Sequence, residues 1–134
     1  MKTPEEQLTA FMASMNEWET KCSELTAEWK AGETSLTKVK QKASALLDPI
    51  RQAYVSTQAS RRGFSFSTPP EYDPNTESVV GLRSISADRI EVETLQKRIS
   101  DNHYIYTMVR ESGEWKVLKK MRTMLDGTKF DIEI

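Results

Sequence analysis

One cysteine, one histidine and five glycines in 134 residues withhold the usual residues from several kinds of chemistry. With Cys22 alone, neither an intrachain disulfide nor a cysteine-rich zinc site can form. Its place among apolar positions at helical spacing marks it as inert core. The glycines form no phosphate-cradling loop, and no nucleophile elbow, HExxH or other metal-ligand spacing occurs, so no cofactor and no metal are expected. No stretch approaches membrane-spanning length, and MKTPEEQLTA lacks the basic and apolar regions of a signal peptide. The chain therefore reads as cytoplasmic.

A strong charge of either sign is missing too. A formal charge of -1 gives no argument for a nucleic-acid or anionic-membrane partner. The charge is unevenly spread, however. Residues 1–34 set Lys2, Lys21 and Lys30 against seven glutamates, whereas residues 35–62 set Lys38, Lys40, Lys42, Arg51, Arg61 and Arg62 against Asp48 alone. An acidic segment followed by a basic one predicts a neighbouring antiparallel pair, with screened attraction adding little to stability.

What is present divides into two periods within one domain, 1–134, long enough to bury a core without staples. Helices are predicted over about 4–59. Thr3, Pro4 and Glu6 form a start signal, and Leu8, Phe11, Met12, Met15, Trp18, Cys22, Leu25 and Trp29 follow in steps of three and four, with Gly32 as the stop. Leu36, Val39, Ala43, Leu46, Leu47, Ile50 and Tyr54 make a second stripe interrupted at Pro49, which predicts two helices, about 35–47 and 49–59, or a single kinked one. A proline-rich loop is predicted at 67–76 and antiparallel strands over about 77–134. After Gly63 apolar residues alternate: ESVVGLRSIS with a bulge or bend at Gly81, DRIEVETLQ, a hairpin turning at Ser112 and Gly113, and an edge strand in GTKFDIEI. On the hairpin's second arm, Trp115, Val117 and Met121 are expected on the buried side and Lys116, Lys120 and Arg122 on the solvated one. The fold class is α+β, with the helices on one face of the sheet and Trp18, Trp29 and Trp115 at least partly buried.

This order, with a GEWKV arm in the late hairpin, resembles the NTF2-like cone fold. Within that superfamily MNEWE, TPPEYDP, IEVETLQ and YIYTMVRESGEWKV together resemble the NTF2 fold immunity proteins of bacterial polymorphic toxin systems. The resemblance implies a protein partner, a cognate toxin domain, neutralised by binding. Other NTF2-like proteins are isomerases and cyclases that work inside the cone. A small enzyme of that kind is the alternative, and a scaffold that forms a homodimer through its sheet is a third reading.

For catalysis the candidate cone residues are Tyr54, His103, Tyr104 and Tyr106, as acid, base or phenol donor. Their plainer roles are packing for the tyrosines and a strand-end position for His103. Glu91 and Glu93 share a face but alternate with Ile90 and Val92, which places them toward solvent. The proline-rich loop is the stronger lead. Pro69, Pro70 and Pro74 stiffen a segment carrying Glu71, Tyr72 and Asp73, the candidate partner-binding residues. Tyr72 is expected either to anchor a partner or to fold inward as a plug over the cone.

Overall fold

The computed structural model of the chain describes residues 2–60, 64–132 and 134. Arg61, Arg62 and Gly63, where the basic segment ends and the period was expected to change, lie outside the described residues. Helix α1 spans Pro4–Lys30, and its start is a capping box in which the Thr3 side chain accepts from the Glu6 N–H and the Glu6 carboxylate accepts from the Thr3 N–H. It stops at Ala31, where Gly32 at φ 79° lets the Gly32 N–H reach Trp29 O and the Glu33 N–H reach Glu28 O, a Schellman pair.

The second stripe forms one helix, α2, over Leu36–Tyr54, capped by Ser35 and with Pro49 inside it. The two-helix expectation is thereby corrected, and so is its end at 59. Pro49 removes the hydrogen bond to the Ala45 carbonyl, but both residues are exposed, so water can serve that carbonyl. Buried Val39, Ala43 and Leu47, with Ile50 and Tyr54 against the core, keep the helix continuous across the proline. The Trp18 indole N–H donates to Ala43 O at 2.9 Å and ties the two helices together. Their opposite charges do not do so: among the described residues no ion pair joins α1 to α2.

The sheet is a five-stranded antiparallel meander in the order β1-β2-β3-β4-β5, with β1 at Glu77–Ser86, β2 at Arg89–Gln96, β3 at Asn102–Glu111, β4 at Glu114–Thr123 and β5 at Lys129–Ile132. Ser112 and Gly113 make the β3–β4 turn, both at positive φ. Val80 is an extra residue in β1 beside Gly81. In β4 Val117 faces Met108 and Lys119 faces Thr107, so Leu118 is extra. That bulge reverses the simple alternation. Met121 goes to the outer face, while Lys120, expected in solvent, turns inward and is 3% exposed. The core joins Phe11, Met15 and Trp18 of α1 and Leu47 of α2 to Val92, Tyr106, Met108, Trp115 and Val117 of the sheet. Trp29, at the end of α1, is 39% exposed.

Candidate functional site: the proline-rich loop and the polar interior beneath it

Asn16, Glu19 and Ser23 recur at steps of three and four, so they share one face of α1. Each holds the loop. The Asn16 amide donates to Tyr72 O at 2.8 Å, the Glu19 carboxylate accepts from the Glu71 N–H at 2.5 Å, and Ser23 and Thr68 share a hydroxyl hydrogen bond at 2.7 Å. The clasp runs antiparallel to the helix. From the other side Gln96 of β2 donates to Glu71 O at 2.6 Å, and the Arg98 guanidinium reaches Pro70 O and Glu71 O. The Thr68-Pro69 peptide is cis. Beyond the prolines Asp73 accepts from the Asn75 N–H through its carboxylate and from Glu77 N through its carbonyl, which turns the chain into β1.

This frame fixes where the three loop candidates go. Glu71 is exposed and Asp73 half-exposed, while Tyr72 is 4% exposed and points into the core. Its ring meets Phe11 edge-on at 5.4 Å and lies 4.2 Å from the Lys120 ammonium. Tyr104 stands at the same 4.2 Å from that ammonium and Tyr106 at 5.3 Å, so three phenol rings surround one buried lysine. Among the described residues no carboxylate lies within 4.0 Å of it. Burial holds the Lys120 ammonium below the usual lysine range, against the pull of Glu77, Glu71 and Glu19.

Next to the cage is a polar row. Buried Glu77 of β1 accepts from the Thr94 hydroxyl at 2.6 Å and from Gln96 at 3.4 Å, Asn102 donates to Gln96 at 3.2 Å, and Arg122 donates to Asn102 at 2.8 Å. Glu19 is fully buried, and its second oxygen, Oε1, has no hydrogen-bond partner among the described residues; the Tyr106 hydroxyl has none either. Burial raises the Glu19 carboxyl to about 7, opposed by the Glu71 N–H. The Tyr72 and Tyr106 phenols are pushed well above their ordinary range, first by burial and then by neighbouring carboxylates.

The cone candidates do not form one constellation. Tyr104 and Tyr106 face inward with Lys120. Tyr54 meets Phe11 at 6.1 Å and lines an open cleft of about 610 Å³ with Trp115, Glu6 and Gln7, which Tyr104, Tyr106 and His103 do not line. His103, adjacent to Tyr104, falls on the opposite face, pairs in register with Leu95 and Thr123, and is exposed. Beneath the loop the interior void next to Tyr72, Trp18 and Leu47 amounts to about 20 Å³, room for about one water. Glu91 and Glu93 lie on the outer face, with Glu91 paired to Arg83 at 3.5 Å.

Sequence reasoning missed Glu19, Glu77 and Lys120. Glu19 carried a signal: it stands four residues after Met15 and three before Cys22, inside the apolar stripe. Lys120 carried none, because the Leu118 bulge that turns it inward has no glycine to mark it.

Among the described residues no group of three or more histidine, cysteine or carboxylate side chains is placed to hold a metal ion, and no helix is long and apolar enough to cross a membrane. No curated protein and no solved structure gives a match to this chain. The family model described as NTF2 fold immunity protein, by contrast, matches residues 3–131, nearly the whole sequence and every element from the capping box to β5. The chain belongs to the family of NTF2 fold immunity proteins.

Proposed function

We propose that this chain is an immunity protein that binds a cognate bacterial toxin domain in the cytoplasm and neutralises it by occlusion, without catalysis. The match over residues 3–131 carries the reading. Its docking element is the outer face of the proline-rich loop, where Glu71 and Asp73 meet a basic surface of the toxin. The six contacts that hold the loop from α1 and the β2–β3 side support that choice, since a segment ordered before binding loses less entropy on association. Tyr72 serves from inside as the plug that sets the loop's height, in place of a direct anchor.

The enzymatic reading draws on one observation, the buried lysine and the raised carboxyl within the cone. Weighing against it, the void beside Tyr72, Trp18 and Leu47 is about 20 Å³, far below the volume of a small-molecule substrate, and the cleft of about 360 Å³ that reaches Lys120, between Gln58, Leu118 and Asp131, is lined by neither Glu19 nor the three tyrosines.

Binding of the full chain to the toxin domain encoded beside its gene tests the proposal. Tight association and protection of cells expressing the toxin are expected. Reversing Glu71 and Asp73 to lysine is expected to slow association about tenfold at low salt and to flatten its salt dependence. Absence of binding removes the immunity reading; binding untouched by both reversals moves the docking surface off the loop.

A further inference from the structure

The proline-rich loop is clasped to α1 at three points, and the middle one is an ionisable group sealed from water. Glu19 is fully buried, spends one carboxylate oxygen on the Glu71 N–H, and leaves the other without a donor among the described residues. A neutral carboxyl tolerates such a place. A carboxylate there keeps the Glu71 N–H, with the Ser67 N–H as a weaker pull toward the ionised form, and loses its water, which is the larger effect.

The charges around it do not reverse this balance. From the loop it faces Glu71, whose charge opposes a second negative one, and from its own helix the Cys22 thiol, which burial and Glu19 raise to about 11. From β4 it faces Lys120, whose ammonium favours the carboxylate but is itself held below its usual range by burial. Behind Lys120 stand Glu77 of β1, Tyr72, Tyr104, Tyr106 and Arg98, which act on Lys120 and its cage.

We propose that Glu19 is a pH-responsive latch for the proline-rich loop: with its carboxyl neutral the loop stays clasped to α1, and ionisation of that carboxyl loosens it. The sign follows from linkage. The clasped form holds the proton up to about 7, whereas an opened, hydrated Glu19 returns toward 4.5, so the clasped form binds more protons between those values and raising the pH favours opening. Those limits cap the effect on the order of 300-fold in the opening equilibrium. The other two contacts, Asn16 to Tyr72 O and Ser23 to Thr68, carry no titratable group and hold the loop in register at either pH.

Nuclear magnetic resonance on the full chain tests this. The Glu19 carboxyl is expected to titrate with a midpoint near 7. Amide-exchange protection at Glu71, corrected for the intrinsic pH dependence of exchange, should fall at least about tenfold from pH 5 to pH 8. It should lie below the protection of Tyr106 in the sheet centre throughout, as local opening requires. Glu19→Gln, which retains an acceptor but does not titrate, should remove the pH dependence at Glu71. A Glu19 midpoint below about 5.5, Glu71 protection that does not change with pH, Glu71 protection equal to that of Tyr106, or the same pH dependence in Glu19→Gln each overturns the proposal. The midpoint and the protection ratios are read on the unsubstituted chain, so they decide the matter even if Glu19→Gln does not fold.

Discussion

The ammonium of Lys120 sits 4.2 Å from the ring of Tyr72, a contact between the fourth strand and the proline-rich loop, 48 positions apart in the chain. It is a meeting of two residues whose neighbours face the opposite way. Glu71 and Asp73 on either side of Tyr72 reach toward water, and Lys119 beside Lys120 pairs with Asp131 at 3.4 Å on the outer face. The loop thus has a wet side fit for a partner and a dry side locked to the sheet.

Tyr72→Ala should therefore act on stability first. The ring is buried against Phe11 and Lys120, and truncation is expected to cost about 3–5 kcal/mol by the lost burial and the cavity left behind. Tyr72→Phe keeps the ring, and among the described residues the phenol makes no hydrogen bond, so a loss under about 1 kcal/mol is expected. Urea denaturation of the two variants checks this. Equal losses would mean that the hydroxyl, and not the ring, holds the loop.

Among the described residues Lys120 has no counter-ion within 4.0 Å, and a buried charge so placed predicts an unusual response. Lys120→Met, of similar length and without charge, should leave stability unchanged or raise it by about 1–4 kcal/mol, because the desolvation cost disappears while the fill remains. Lys120→Ala should lower it by about 2–5 kcal/mol through the void. Denaturation at neutral pH distinguishes them. A large loss in Lys120→Met would show that the attraction of Glu77, Glu71 and Glu19, with the tyrosine rings, outweighs desolvation.

How far the sequence could be read follows from where local signals coincide with tertiary demand. The Thr3 capping box, the Gly32 stop, the Ser112-Gly113 turn and the bulge beside Gly81 are local devices, and each is found where the residues placed it. Pro49 misled because the stop it writes into the backbone is overridden by the core contacts on either side of it. Lys120 and Met121 exchanged faces through an unmarked bulge at Leu118, since a single extra residue inverts a period of two. Of the loop, the prolines that keep it out of helix and strand and the inward or outward choice at Tyr72 were legible. The clasp by Asn16, Glu19 and Ser23 was not, because it depends on which face of α1 the loop crosses.

The same buried carboxyl shapes global stability. Glu19 holds its proton up to about 7 in the fold and up to about 4.5 when unfolded, so between these values the folded chain binds more protons and stability declines as pH rises. Below that window the sign reverses. Glu111, held by Ser56 and Thr57, and Glu6, held by Thr3, have carboxyls lowered by their hydrogen bonds, as does Asp126 beside Thr128; what they contribute is present above the usual carboxylate range and is lost as pH falls through their folded values. The two trends meet near pH 4.5–5, and maximal stability is expected there, at a more acidic pH than is usual for a chain with this near-neutral charge. Midpoints of urea unfolding between pH 3 and pH 8 check it. In Glu19→Gln the decline from 4.5 to 7 should flatten while the acid limb persists, and a wild-type curve that rises through that window would place the Glu19 proton elsewhere.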